Sequence, residues 1–287
     1  MSSLKNQIKK HPALTFFLLA CAITWSIWVP ISYGYVHNTI ELTPAIITIY
    51  ILGSFGPFLA AAIVTKLTGR SLRAWFVQAL KWRVSVKWWL AAFFIPIWLY
   101  ALMAGIHLLM GGKLKHMELS SLLALLGGFL SVFLWGGGNE ELGWRGLALP
   151  NLQERHNPLV SSLIIGVIWT LWHAPPGIIE LGFVKWVTGL PFYMIAVTGI
   201  SVVATWLYNK TGGSVLLTMV FHASVNVTQT LYPIQEMFSR TGEAARTIAW
   251  ILLVLGLILN SRAEFFDRGK EIEIDSTGNP KAHFGKE

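Results

Sequence analysis

The sequence predicts an all-α polytopic membrane bundle of about eight transmembrane helices plus one interfacial amphipathic helix. Three observations point there. Only 13% of the 287 residues are charged, and 54% are hydrophobic; soluble domains carry about 25% charged residues. Eight apolar stretches approach or reach the roughly 20 residues that a helix needs to cross a bilayer. Basic residues gather between alternate stretches, the pattern that fixes orientation in membranes.

Residues 1–13 form an arm bearing Lys5, Lys9 and Lys10. The first stretch, Leu14–Ile31, contains Cys21, the only cysteine, so an intrachain disulfide and a thiolate zinc cluster are excluded. The run L-L-A-C ending at Cys21 looks weakly like a lipoprotein cleavage site. Only seven apolar residues (Leu14 to Ala20) precede it, and apolar sequence continues to Ile31. Cys21 is therefore expected to be a helix residue, and the N-terminus a retained anchor rather than a cleaved signal peptide. Six further stretches follow: Pro44–Thr65, Trp88–Met110, Ser120–Gly138, Leu159–Ile179, Val187–Tyr208 and Ser214–Tyr232. The eighth, Ala244–Asn260, reaches spanning length only if Arg246 snorkels to the interface. Between the second and third, R-S-L-R-A-W-F-V-Q-A-L-K-W-R (Arg70 to Arg83) places Leu72, Trp75, Phe76, Ala79 and Leu80 on one helical face. That face suits a helix lying on the inner leaflet. Residues 14–260 make up the membrane domain, and residues 261–287 read as a flexible charged tail.

With the N-terminus inside, 17 of the 22 Lys and Arg residues fall on the inner side. Both termini are thus expected in the cytoplasm of a cell membrane, and the short loops look bacterial. The net charge of +8 is scattered over these short segments rather than gathered on one face. A nucleic-acid partner is not expected; the bilayer is.

Three polar constellations interrupt the apolar stretches. The first lies in W-G-G-G-N-E-E-L-G-W-R-G (Trp135 to Gly146), where Glu140 and Glu141 follow an uncharged run. Glu141 and Arg145 stand i, i+4 and can pair, which leaves Glu140, about 100° round the helix, free to act. If the helix stops at Gly138, these charges merely end it at the interface. If it continues to Pro150, Glu140 lies about 15 Å inside. The second is Trp169 and His173, again i, i+4, with Pro175 and Pro176 forcing a kink or end beside His173. The third is His222 and Asn226, also i, i+4; these either hydrogen-bond between helices or donate to a reacting oxygen. With the fourth helix continuing, all three sit in one layer of the inner half of the bilayer, about 12–17 Å deep. His107, near the outer end of the third helix, is expected to be interfacial.

A carboxylate beside an imidazole can activate water, and a His–Asn donor pair suits an oxyanion hole. Ser224, beside His222, points to another face, so direct attack by water is favoured over an acyl-enzyme. The chemistry indicated is hydrolysis of a peptide bond in a membrane-associated protein or peptide. Two His and a Glu could instead bind zinc, but no H-E-x-x-H pair is present, and the metal-free, cofactor-free reading leads.

E-E-L-G-W-R (Glu140 to Arg145), W-T-L-W-H (Trp169 to His173) and H-A-S-V-N (His222 to Asn226) resemble the three ordered motifs EExxxR, FxxxH and HxxxN/B of the CPBP family. This family, also called Abi, groups type II CAAX prenyl proteases with bacteriocin-processing intramembrane glutamic endopeptidases. The resemblance covers roughly Ser120 to Tyr232. It implies Glu140 as base, His173 assisting, His222 and Asn226 stabilising the oxyanion, and Glu141 and Arg145 supporting the site. It also implies an eight-helix bundle around a cavity open to the cytosol. Trp169 stands where the family usually has Phe. A membrane immunity or scaffold protein that binds without cleaving is the alternative in another class. A small transporter fits less well, because the polar residues cluster on three helices rather than on broken segments of two repeated halves.

Overall fold

A computed structural model describes residues 2–114, 122–231 and 239–267. The tail from residue 268 onward, and the ends of two expected spans at Ser120 and Tyr232, lie outside the described residues. Helices make up all the regular structure that is described. They are α1 (Ser2–Lys10), α2 (Pro12–Val36), α3 (Pro44–Gly53), α4 (Gly56–Thr68), α5 (Leu72–Val77), α6 (Val86–Leu109) and α7 (Leu122–Trp135). Then come α8 (Gly137–Gly143), α9 (Leu149–Gln153), α10 (Pro158–Trp172), α11 (Ala174–Leu181), α12 (Phe183–Lys210), α13 (Val215–Leu231), α14 (Arg240–Asn260) and α15 (Arg262–Phe266).

Among the described residues, five helical segments are long and apolar enough to cross a membrane: Pro12–Val36, Pro44–Thr68, Val86–Leu109, Phe183–Lys210 and Arg240–Asn260. Each coincides with an expected stretch. The ends follow local chemistry. Pro12, Pro44 and Pro158 occupy first turns, where their missing N–H costs nothing. The side chains of Thr43, Asn157 and Ser239 accept from backbone N–H groups of the first turns of α3, α10 and α14. Gly69 closes α4 in the left-handed region at φ 84°, which a Cβ would disfavour.

Two apolar cores divide the bundle. One joins α2, α4, α5, α8 to α10 and α13 through residues such as Phe16, Val64, Trp144, Leu149, Ile165 and Trp172. The other joins α6, α12, α13 and α14 through Leu99, Met103, Leu207, Phe221 and Trp250. Phe133 and Ile200 pack against both, so the cores meet at α7 and α12. Large apolar side chains such as Leu18, Phe94, Trp98, Leu130 and Leu255 remain exposed. Exposed apolar surface of this extent marks a protein made for contact with lipid or another apolar partner.

Four local features differ from expectation. The amphipathic segment is shorter, with α5 followed by a single 3₁₀ turn at Gln78–Leu80. Its apolar face is split: Trp75 and Ala79 are buried in the bundle, while Leu72, Phe76 and Leu80 face outward. The reason is a set of hydrogen bonds reaching inward, from Trp75 Nε1 to the Leu142 carbonyl (3.0 Å) and from Gln78 Nε2 to the Gly146 carbonyl (3.3 Å). Arg246 does not snorkel; it is 7% exposed and faces inward. His107 is fully buried, its ring lying on Gly112. Finally, the first residues after Asn260 continue as α15, with Phe265 buried and Glu264 paired to Lys210.

Candidate active site

The fourth apolar stretch continues through the glycines. Helix α7 ends at Trp135, Gly136 interrupts the helix, and α8 carries on through one π-helical turn (Trp144–Ala148) into α9. This continuation carries Asn139 to Arg145 into the interior, and each of these seven residues is buried. Helix α8 packs between α4 and α13. Wider π-type turns often mark functional sites, and here one sets Trp144 and Arg145 beneath the two acids.

Glu140 and Glu141 diverge, as their 100° separation requires. Glu140 Oε2 accepts two indole N–H groups, from Trp144 at 3.2 Å and Trp169 at 2.9 Å. Among the described residues its Oε1 makes no hydrogen bond, yet it is not one of the sealed, unpartnered atoms. One carboxylate oxygen is thus anchored by two donors and the other is not. Glu141 Oε1 accepts from Arg145 Nη1 at 3.0 Å and from His222 Nδ1 at 2.9 Å. Glu141 and Arg145 are fully buried, and their mutual attraction offsets part of the cost of desolvating both.

Helix α10 ends at Trp172, and His173 caps it before α11 begins with Pro175 and Pro176 in its first turn. His173 Nδ1 lies 2.8 Å from the Trp169 carbonyl. A carbonyl only accepts, so Nδ1 carries the proton and Nε2 presents its lone pair. By the same logic His222 Nδ1 donates to the Glu141 carboxylate. His222 Nε2 lies directly over Gly137, where a Cβ would stand 2.2 Å away. Only glycine admits the ring this close.

Trp169 links the constellations. Its indole donates to Glu140, its carbonyl accepts from His173, its ring meets His222 edge-on at 5.0 Å, and the Arg145 guanidinium lies over it at 5.1 Å. Asn226 is half-buried one turn beyond His222 on α13 and is not hydrogen-bonded to the other site residues. Glu140, Glu141, Arg145, Trp169, His173 and His222 are joined by direct contacts; Asn226 shares only the helix. Ser224 turns to the Val220 carbonyl at 2.8 Å, away from this group. Trp144 is the residue that motif reading passes over, although its i+4 spacing from Glu140 signals the contact. The Glu141–His222 bond joins helices 81 positions apart, and no spacing rule reveals it. Among the described residues no three His, Cys, Asp or Glu side chains are grouped to hold a metal ion.

Residues 121–228 match the family model described as type II CAAX prenyl endopeptidase Rce1-like. The chain is also similar to CAAX prenyl protease 2 of the archaeon Methanococcus maripaludis. The two are 24% identical over 282 residues, covering 92% of this chain and 98% of the relative. The matched segment contains all three constellations.

Proposed function

We propose, from the match of residues 121–228 to the Rce1-like family model and the similarity to the archaeal relative, that the chain is an intramembrane endopeptidase of this family. It hydrolyses a peptide bond in a membrane-associated protein or peptide, using a glutamate-activated water and no metal ion. The archaeal relative's name points to prenylated CAAX substrates, and this class is the first to test here. The observation that carries the reading is the asymmetric hold on Glu140: two indoles fix Oε2 and leave Oε1 uncommitted.

In this reading Oε1 takes a proton from water as the water oxygen bonds to the scissile carbonyl carbon. The carbonyl π electrons move onto oxygen, where His222 and the Asn226 amide donate to the oxyanion. With Nδ1 committed to Glu141, His222 donates from Nε2 only when both ring nitrogens carry protons; Glu141 then serves as its counterion. His173 Nε2 accepts from the water and helps to align it. Collapse of the intermediate breaks the C–N bond, and the proton held by Glu140 passes to the departing amine. Arg145 supports the site by neutralising Glu141.

Eight membrane crossings complete the proposal: the five long segments, α7 with its continuation, α10 with α11, and α13. Both termini lie in the cytoplasm, with residues 1–13 and 261–287 flanking the membrane domain and α5 resting on the inner leaflet. The distribution of Lys and Arg supports this orientation.

The test is cleavage of a membrane-anchored peptide library by the purified protein in proteoliposomes, with and without a strong zinc chelator. Cleavage that survives the chelator is expected. Loss with the chelator would move the reading to zinc chemistry. A folded protein that cleaves nothing would favour a binding scaffold.

A further inference from the structure

A second buried cation lies outside the Glu140 group. Arg246 is 7% exposed and occupies the inward stripe of α14 with Gly242, Ala245, Ala249 and Trp250, where α14 packs on α6 and α12. Among the described residues its guanidinium makes no hydrogen bond and no ion pair, and its Nε is sealed without a partner. Its electrostatic neighbours are Tyr100 on α6, Tyr193 on α12 and Glu243 one turn earlier on α14. Glu243 closes no ion pair with it; Glu243 Oε1 instead approaches Gly189 of α12. Two contacts tie this place to the active site. The Tyr100 hydroxyl donates to Gln229 Oε1 at 3.4 Å, on α13 one turn past Asn226. The Tyr193 ring meets the His173 ring edge-on at 5.9 Å. The Arg246 guanidinium is therefore within electrostatic reach of the tyrosine whose ring meets His173.

An arginine held in a membrane bundle with no ion pair among the described residues is costly, and such residues mark binding paths by default. A guanidinium desolvated by the fold meets a carboxylate with paired N–H donors already freed of water. We propose that Arg246 forms a carboxylate-binding subsite for the peptide substrate, holding an anionic group of the segment that runs past His173. The inference rests on the endopeptidase reading above. Under the proposed orientation Arg246 lies six residues, about 9 Å, in from the outer end of α14. A peptide that approaches from the cytoplasm reaches it with the residues beyond the scissile bond. The carboxylate is either the peptide's own C-terminus or an Asp or Glu side chain near it.

The experiment compares three forms of one membrane-anchored peptide in proteoliposomes: the C-terminal free acid, the C-terminal amide, and the amide ending in Asp. Wild type is expected to cleave the acid at least tenfold better than the amide in kcat/KM. Arg246→Gln abolishes that preference by lowering the acid rate and leaves the amide within twofold of wild type; Arg246→Lys keeps part of the preference. Recovery with the Asp-ended amide identifies a side-chain carboxylate, and no recovery identifies the C-terminus. Equal cleavage of acid and amide by wild type would overturn the proposal, as would an equal loss on all three peptides in Arg246→Gln. If wild type cleaves none of them, binding of the same peptides to wild type and Arg246→Gln decides. Acid-selective binding that Arg246→Gln abolishes keeps the subsite while the protease reading falls; equal binding of acid and amide overturns it.

Discussion

Replacing Gly137 with Ala tests the closest contact in the site. The new Cβ would stand 2.2 Å from His222 Nε2, 2.4 Å from Cε1 and 2.5 Å from Cδ2. Comfortable contacts between such atoms begin at about 3.5 Å, so the ring must retreat by more than about 1 Å. The ring has little freedom to do so, because Glu141 holds Nδ1 at 2.9 Å and Trp169 lies edge-on at 5.0 Å. Stretching the bond to Glu141 forfeits a hydrogen bond to a charged group, about 1.5–3 kcal/mol. The better helix propensity of Ala returns about 0.8–1.0 kcal/mol. A net loss of about 1–2 kcal/mol follows, with about a 100-fold loss in cleavage from misplacing a group by 1 Å. Gly128→Ala in α7 is the matched control, since its Cβ would meet nothing within 4 Å. Thermal unfolding in detergent and cleavage of a reporter peptide read both effects. If Gly137→Ala unfolds no earlier than Gly128→Ala and cleaves within threefold of wild type, the packing of His222 on Gly137 is refuted.

Two further substitutions separate support from chemistry. Trp169→Phe keeps a ring beneath Arg145, but it removes the 2.9 Å bond to Glu140. Stability should fall by about 1–2 kcal/mol in denaturant unfolding, while kcat/KM drops less than about tenfold; complete inactivity would contradict this. Trp75→Phe deletes the bond to the Leu142 carbonyl and should lower stability by about 1 kcal/mol. Its kcat should stay within twofold, because Trp75 touches the backbone and not the acids.

Much of the bundle was legible because hydropathy and turn chemistry act locally. The long segments such as Pro12–Val36 and Phe183–Lys210 lie where the apolar runs put them. The i, i+4 rule likewise found the Glu141–Arg145 pair, since both residues share one helix. Contacts between helices were not legible. His222 reaches Glu141, and Trp75 reaches Leu142, only after distant segments dock. Arg246 was expected at the interface because a charge in a span is costly, but the bundle holds it inside. The amphipathic segment failed differently: periodicity placed five residues on one face, and bonds from Trp75 and Gln78 then divided that face between bundle and exterior.

The most direct measurement sets Glu140→Gln beside Glu141→Gln, with unfolding and cleavage read on both proteins. Glu141→Gln leaves the fully buried Arg145 without its counterion, a loss of about 3–5 kcal/mol. Glu140→Gln keeps an oxygen for the two indole donors, and its stability should stay within about 1 kcal/mol of wild type. Its cleavage should nevertheless fall by about 10³-fold or more, the scale expected for a lost general base. A stable Glu140→Gln protein that still cleaves at more than about a tenth of the wild-type rate would contradict the account.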